Sequence, residues 1–313
     1  MAANESSMPF IRNLASSGSY SATLTSPASS RISSPETSLE NIQHTNILSY
    51  KPDRKIRTSA LESLRTFLSA SATASRLSHM DNLKLWKGLY YSLWMCDRPI
   101  PQQNLCAELA ALIDVLPDEA VAPWLAAFWQ TMGREWTAID VLRLEKFMLL
   151  VRRVLGASLA WVCSALPDIQ KEEEEGRAGE KGGEKTKDAK TSRRSRERID
   201  ALLENLASWP LETEDDLSRV PVGLRLHVLD IWIDEAEKLG LLDVEKTGEA
   251  GRQFMDRLGL LVEAQVRSKC KPVRLRAKEM LADERLPWNA GEKEAISVKN
   301  ESGDKDSWDG FDD

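Results

Sequence analysis

Between Arg54 and Pro287 apolar residues return every three or four positions, and no stretch alternates with a period of two. A period near 3.6 lines one face of a helix, whereas a period of 2 lines one face of a strand, so this spacing commits the chain to helices. Ile56, Ala60, Leu61, Leu64, Phe67 and Leu68 open the series. From His79 to Cys96, one face carries Leu83, Trp86, Leu89, Tyr90, Leu93 and Trp94, and the other carries Leu85, Tyr91 and Met95. A helix apolar on both sides is buried on most sides. Pro99 and Pro101 end it, because proline offers no amide donor and clashes with a preceding turn.

A third helix runs through Leu105, Leu109, Leu112, Ile113 and Leu116 and stops at Pro117. A fourth spans roughly 119–136 with Trp124, Phe128 and Trp129, and a fifth runs from about 138 to 166 on Ile139, Leu142, Phe147, Leu150 and Val154. Helices resume over about 199–208, 222–239 and 252–269, with a last one after Pro272. Helix pairs recur at roughly 40 residues, the size of HEAT-type units. The expected fold is therefore all-α, a HEAT-like stack of antiparallel helical hairpins, with a compact bundle in each half as the alternative.

Composition changes mark the boundaries. A Ser-rich arm over 1–45, expected to be disordered, precedes the first half of the helical-repeat domain at 46–170. Residues 171–198 hold ten basic and eight acidic residues with several glycines and are expected to be a flexible insert. The second half occupies 199–288, and an acidic tail, also expected to be disordered, fills 289–313.

The net charge of −7 is unevenly distributed: the tail carries eight acids and three lysines. The middle of the chain is close to balanced, which excludes RNA binding by overall charge and leaves local basic faces. Four scattered cysteines without a C-x-x-C pair fit a reducing compartment. The N-terminus has no basic segment followed by an apolar stretch, and no uncharged apolar run reaches about 18 residues. A soluble intracellular protein with no membrane partner is expected.

The chemical inventory is thin. Of three histidines, His44 lies at the edge of the Ser-rich arm, His79 precedes a helix with Asp81 close enough to help cap it, and His227 has Asp230 three residues on. His227 and Asp230 suit a base and its orienter, but no nucleophile accompanies them, so a structural histidine is the preferred reading. No phosphate-binding glycine loop, G-x-G-x-x-G or H-E-x-x-H is present. The Glu172–Glu175 run lacks the fixed geometry that Ca²⁺ or Mg²⁺ requires. The pair Asp234 and Glu235 reads as a solvated face. No enzyme, cofactor, metal or small-molecule substrate is expected.

Basic clusters carry more. Arg267, Lys269, Lys271, Arg274, Arg276 and Lys278 fall between Gln265 and Lys278 with no acid among them. They form the candidate RNA-binding surface, against the plainer reading of cations near helix ends. On the fifth helix Arg143, Lys146 and Arg153 share one face, read as a solvated face or a partner contact. Lys185–Arg198, ending in RRSRER, resembles a nuclear import signal or a solvated linker. Trp308 and Phe311 among acids look like a short docking motif.

LKLWKGLYYSLWMCDRP, from Leu83 to Pro99, closely resembles the signature of the ribosomal RNA processing protein 1 family. FWQTMGREWTAIDVLRLEKFMLLVRR (Phe128–Arg153) and VPVGLRLHVLDIWIDEAEKLG (Val220–Gly240) resemble two further family blocks in the same order. Cys96 and Arg98 stand where the family carries Ser and Lys types, and the Ser-rich arm has no counterpart. The resemblance implies a non-catalytic nuclear and nucleolar scaffold of large (60S) ribosomal subunit biogenesis. It implies a part in maturing the large-subunit rRNA precursor and association with other assembly factors, of β-propeller and Brix-domain types; the expectation of contact with pre-rRNA rests on the basic cluster at 267–278. The signature itself reads as core, leaving Lys84, Lys87, Asp97 and Arg98, with Arg143, Lys146 and Arg153, as candidate partner-binding residues. A generic nuclear helical-repeat adaptor is the alternative reading.

Overall fold

A computed structural model describes residues 54–70, 74–178, 185–214 and 216–289. The Ser-rich arm and the acidic tail with Trp308 and Phe311 lie outside the described residues. Within them are ten α-helices, two 3-10 turns and no strand. The helices are α1 (Arg54–Ser69), α2 (His79–Trp94), α3 (Pro99–Ala110), α4 (Asp118–Glu135), α5 (Val141–Cys163), α6 (Leu166–Ala178), α7 (Lys185–Ser208), α8 (Val222–Lys238), α9 (Val244–Gln265) and α10 (Lys271–Leu281).

The helices pack in two rows. One runs α3, α5, α8, α10 and the other α2, α4, α7, α9, with α6 laid against α7 and α9. Helices α2 and α5, α5 and α7, and α9 and α10 join the rows. Such layering buries each apolar face against a neighbour, the logic of helical-repeat stacks. One core runs through both halves, from Ala60 to Leu286.

Local signals fix the ends. Ser78 and Asp81 form a capping box at α2, the Ser78 hydroxyl accepting from the Asp81 amide at 3.2 Å. The cap is therefore Ser78 and not His79, whose Nε2 instead lies 2.6 Å from Gln130 Oε1. Helix α8 ends in a Schellman turn: Leu241 N–H reaches Ala236 O at 3.0 Å and Gly240 N–H reaches Glu237 O at 2.9 Å. Gly240 takes the left-handed conformation that this turn requires, with φ 73°. At Gly133 the chain approaches itself so closely that a Cβ would overlap the Arg219 carbonyl.

The tryptophans fill the first half. The Trp86 ring centroid lies 4.8 Å from those of Trp124 and Phe128, and its indole N–H donates to Trp124 O at 3.0 Å. Phe147 stacks on Tyr90 at 4.5 Å. In the second half the connection into α8 is held by a buried ion pair. Arg225, 0% exposed, pairs with Glu212 and donates to Glu212 O at 2.6 Å and Val220 O at 3.2 Å. Gln265 completes it, donating to Leu211 O at 2.6 Å.

The structure departs from expectation at 171–198. There, α6 and the first part of α7 are helical and pack on one another as a hairpin, with residues 179–184 outside the described set. Its Lys, Arg, Glu and Ala residues are good helix formers. Ser192 and Ser195 turn inward, donating to Glu172 and, at 3.1 Å, to Asp168. The run Val141–Glu172 has the length and apolarity to cross a membrane, yet Phe147, Leu150, Val151, Val154, Leu155, Leu159 and Val162 are buried within the fold, as in a core helix.

Candidate functional site

The surface expected to meet RNA spans the end of α9, the connection 267–270 and α10. Pro272 stands in the first turn of α10, where its missing amide costs nothing. Val273 and Ala277 point inward, leaving Lys271, Leu275 and Lys278 on the exposed face. The structure divides the six cations predicted there. Arg274 donates to Ser268 O at 2.8 Å and Lys269 O at 2.9 Å, closing the connection onto α10. Arg276 is bound to Asp230 of α8 at 3.1 Å and to Glu279 at 3.5 Å. Lys269 is exposed beside them. Arg267, Lys271 and Lys278 are exposed and make no ion pair with the described residues.

A second surface gathers along the C-terminal half of α2, which meets the end of α4 on one side and the start of α5 on the other. Asp140 caps α5, accepting from the Arg143 amide at 3.1 Å and pairing with its guanidinium. That guanidinium lies over the Trp94 ring, 4.9 Å from its centroid. Lys87 pairs with Glu135 at 2.6 Å and sits over the Tyr91 ring at 4.8 Å. Burial works against the Glu135 charge, but Lys87 and Arg134 outweigh it and hold the carboxyl below the usual range. Lys84, Asp97, Arg98 and Arg153 are exposed.

Two expectations fail on this surface. Lys146 does not share a solvated face with Arg143 and Arg153: it is 5% exposed, with Nζ donating to Trp94 O at 2.7 Å and Cys96 O at 3.0 Å. It supplies the last carbonyl of α2, and that of Cys96 just beyond it, with a donor and a positive charge where the helix dipole is negative. Burial lowers its affinity for a proton, opposed by Asp97 at 3.4 Å. Lys146 is thus removed from the partner-binding set. Leu142, expected in the core, is 93% exposed, and Val141 is 84% exposed. Both precede the first turn of α5 that reaches α3, so the period assigns them an inward face that the helix start denies. This pair is the feature that sequence reasoning missed; the Asp140 cap is the signal that could have found it.

Elsewhere several charged groups are matched in pairs. Arg152 holds Asp234 and Glu235, each at 2.6 Å, and Arg285 binds Asp234 at 3.1 Å and Glu237 at 2.7 Å. Asp234 and Glu235 are therefore ion-pair partners, not a free acidic face. In the segment resembling an import signal, Arg193 pairs with Glu197, Arg196 with Glu172 and Arg198 with Asp118. His227 is buried, its Nε2 2.9 Å from Met148 O and its ring 6.4 Å from that of Trp136. Burial lowers its pKa, partly offset by the Met148 carbonyl. Its Nε2 proton is committed to the backbone. The Cys106 thiol is pushed up to about 12, mainly by burial, and all four cysteines are free.

These features define a class, an all-α protein of stacked, paired helices. Residues 50–312 match the family described as Nucleolar protein, Nop52. The chain belongs to that family. It is 34% identical over 203 residues to Ribosomal RNA processing protein 1 homolog A of Mus musculus, an alignment covering 64% of this chain and 35% of that protein. Against the Homo sapiens homolog A the identity is 33% over 203 residues, covering 64% and 37%. Against the Homo sapiens homolog B it is 32% over 191 residues, covering 60% and 21%. The chain thus aligns with about a third of the A homologues and about a fifth of the B homologue. The resemblance seen in the three sequence blocks agrees with these matches.

Proposed function

We propose that this chain is a non-catalytic scaffold in ribosomal RNA processing and large-subunit biogenesis, working in the nucleolus. Its α9–α10 surface meets pre-rRNA phosphates. Its α2–α5 surface, with Val141, Leu142, Trp94, Asp97 and Arg98, receives other assembly factors, of the β-propeller and Brix-domain types that the family resemblance implies. The observation that carries the RNA contact is the set of unmatched cations Arg267, Lys271 and Lys278 on a surface whose other arginines are largely paired. Cations not neutralised within the protein are the ones that release counterions on binding a polyanion.

The test uses the full chain and a fluorescent single-stranded RNA, titrated at several salt concentrations. Reversing Arg267, Lys271 and Lys278 to Glu should weaken binding and reduce the slope of log affinity against log salt by about 2, at roughly 0.7 for each phosphate no longer neutralised. An unchanged slope removes the surface from the RNA interface. For the scaffold role, V141D/L142D should reduce co-sedimentation with large-subunit precursors while RNA affinity stays constant. Nucleolar enrichment of the tagged chain separates this reading from a generic nuclear adaptor.

A further inference from the structure

The outer face of α10 is more than a row of cations. Lys271, Arg274, Leu275 and Lys278 follow the i, i+3, i+4, i+7 spacing of one helical face. Leu275 is 56% exposed in the middle of them. A phosphate backbone gives such a leucine no partner. An acidic peptide with an apolar anchor matches both halves of the strip.

That pattern occurs in this chain at residues 304–313, DKDSWDGFDD, where Trp308 and Phe311 are set among five aspartates. The described chain ends beside the strip: Asn289 Nδ2 donates to Leu281 O and Asp283 O, both at 2.8 Å, at the C-terminus of α10. Helix α10, with 11 residues, is about 16 Å long. A random coil as long as the chain from Asn289 to Trp308 spans about 25 Å on average, enough to reach every cation of the strip. Tethering at that length gives an effective concentration on the order of millimolar.

We propose that residues 304–313 dock on the α10 strip, an aromatic ring against Leu275 and aspartates against Lys271, Lys278 and Arg267, as an internal competitor for polyanions. The docking stands without RNA; only its consequence for RNA rests on the proposed function. A carbodiimide that couples carboxylates to amines, applied to the dilute full chain at physiological salt, should join Lys271 or Lys278 to the 304–313 carboxylates. Leu275→Asp, or Trp308→Ala with Phe311→Ala, should abolish these links; Leu275 is exposed, so its replacement leaves the core intact.

Replacing the five aspartates by asparagine should raise affinity for a single-stranded RNA about tenfold, the gain expected on removing a competitor whose Kd is about a tenth of its effective concentration. Absence of the links in the full chain overturns the proposal whatever RNA does. So do links that survive Leu275→Asp, that form equally on Lys84 and Lys238, or that join two isotopically distinct copies. Links that depend on Leu275 and Trp308 with unchanged RNA affinity sustain the docking and sink the RNA reading.

Discussion

His227 and Lys146 are both ionisable side chains drawn inside, and each makes a measurable demand on the fold. For His227, burial lowers the folded pKa below the unfolded value of 6.5. Between those two values the unfolded chain binds the proton and the folded chain does not, so stability falls as pH drops through that window. His227→Gln keeps a donor for Met148 O without the titration. The stability difference between the wild type and this variant should shift in favour of the variant from pH 7.5 to pH 5.5 in urea unfolding. A difference independent of pH would mean that His227 titrates normally. Lys146→Met leaves the Trp94 and Cys96 carbonyls without their donor and should cost about 2 kcal/mol, the scale of a hydrogen bond to a charged group. RNA affinity of the folded variant should be unchanged, as suits a side chain with an internal task. Lys146 was illegible as a core residue because what covers it, the end of α2, lies fifty residues earlier in the chain; local spacing sees only a lysine between two arginines.

At the scale of elements, the sequence was most informative where apolar period and punctuation agree. Helix α2 with its prolines, α4 with its tryptophans and α8 before Gly240 stand where their patterns put them. The α6–α7 hairpin was hidden because contacts that hold it are polar: Ser192 to Glu172, Ser195 to Asp168 and Arg196 to Glu172 at 2.7 Å leave no apolar trace in the sequence. The exposed pair Val141 and Leu142 was hidden for the converse reason, an apolar period that outruns the packed part of its helix. The hairpin makes its own prediction. Ser195→Asp would set a second carboxylate against Asp168 where a hydroxyl now donates, a like-charge contact at a buried position. Amide exchange over 190–198 should accelerate markedly by mass spectrometry, while Ser195→Ala should change it little. Unaltered protection in the aspartate variant would show that the hairpin is held elsewhere.

The molecule as a whole behaves as one stack if its two halves share a core, and the links between them are specific. Helix α5 packs on α3 in the first half and α8 in the second, α7 bridges α4 to α9, and Arg152 ties α5 to Asp234 and Glu235 of α8. The crossing from α7 to α8 is pinned from inside by Arg225, Glu212 and Gln265. Removing one member of a buried pair strands the other charge, so Arg225→Met should destabilise by about 3–5 kcal/mol, and Arg225→Met with Glu212→Gln should recover part of that loss. Stacked helices coupled only to nearest neighbours can unfold piecemeal when one interface weakens. In the wild type, the amides of α2–α4 and those of α8–α9 should lose exchange protection at the same denaturant concentration, the signature of a shared transition. In Arg225→Met the α8–α9 amides should yield first, because the crossing that couples them to the first half has lost its anchor. Coincident loss in the variant would mean that the α5–α8 contact alone unites the halves, and separate transitions already in the wild type would mean that the continuous core does not couple them.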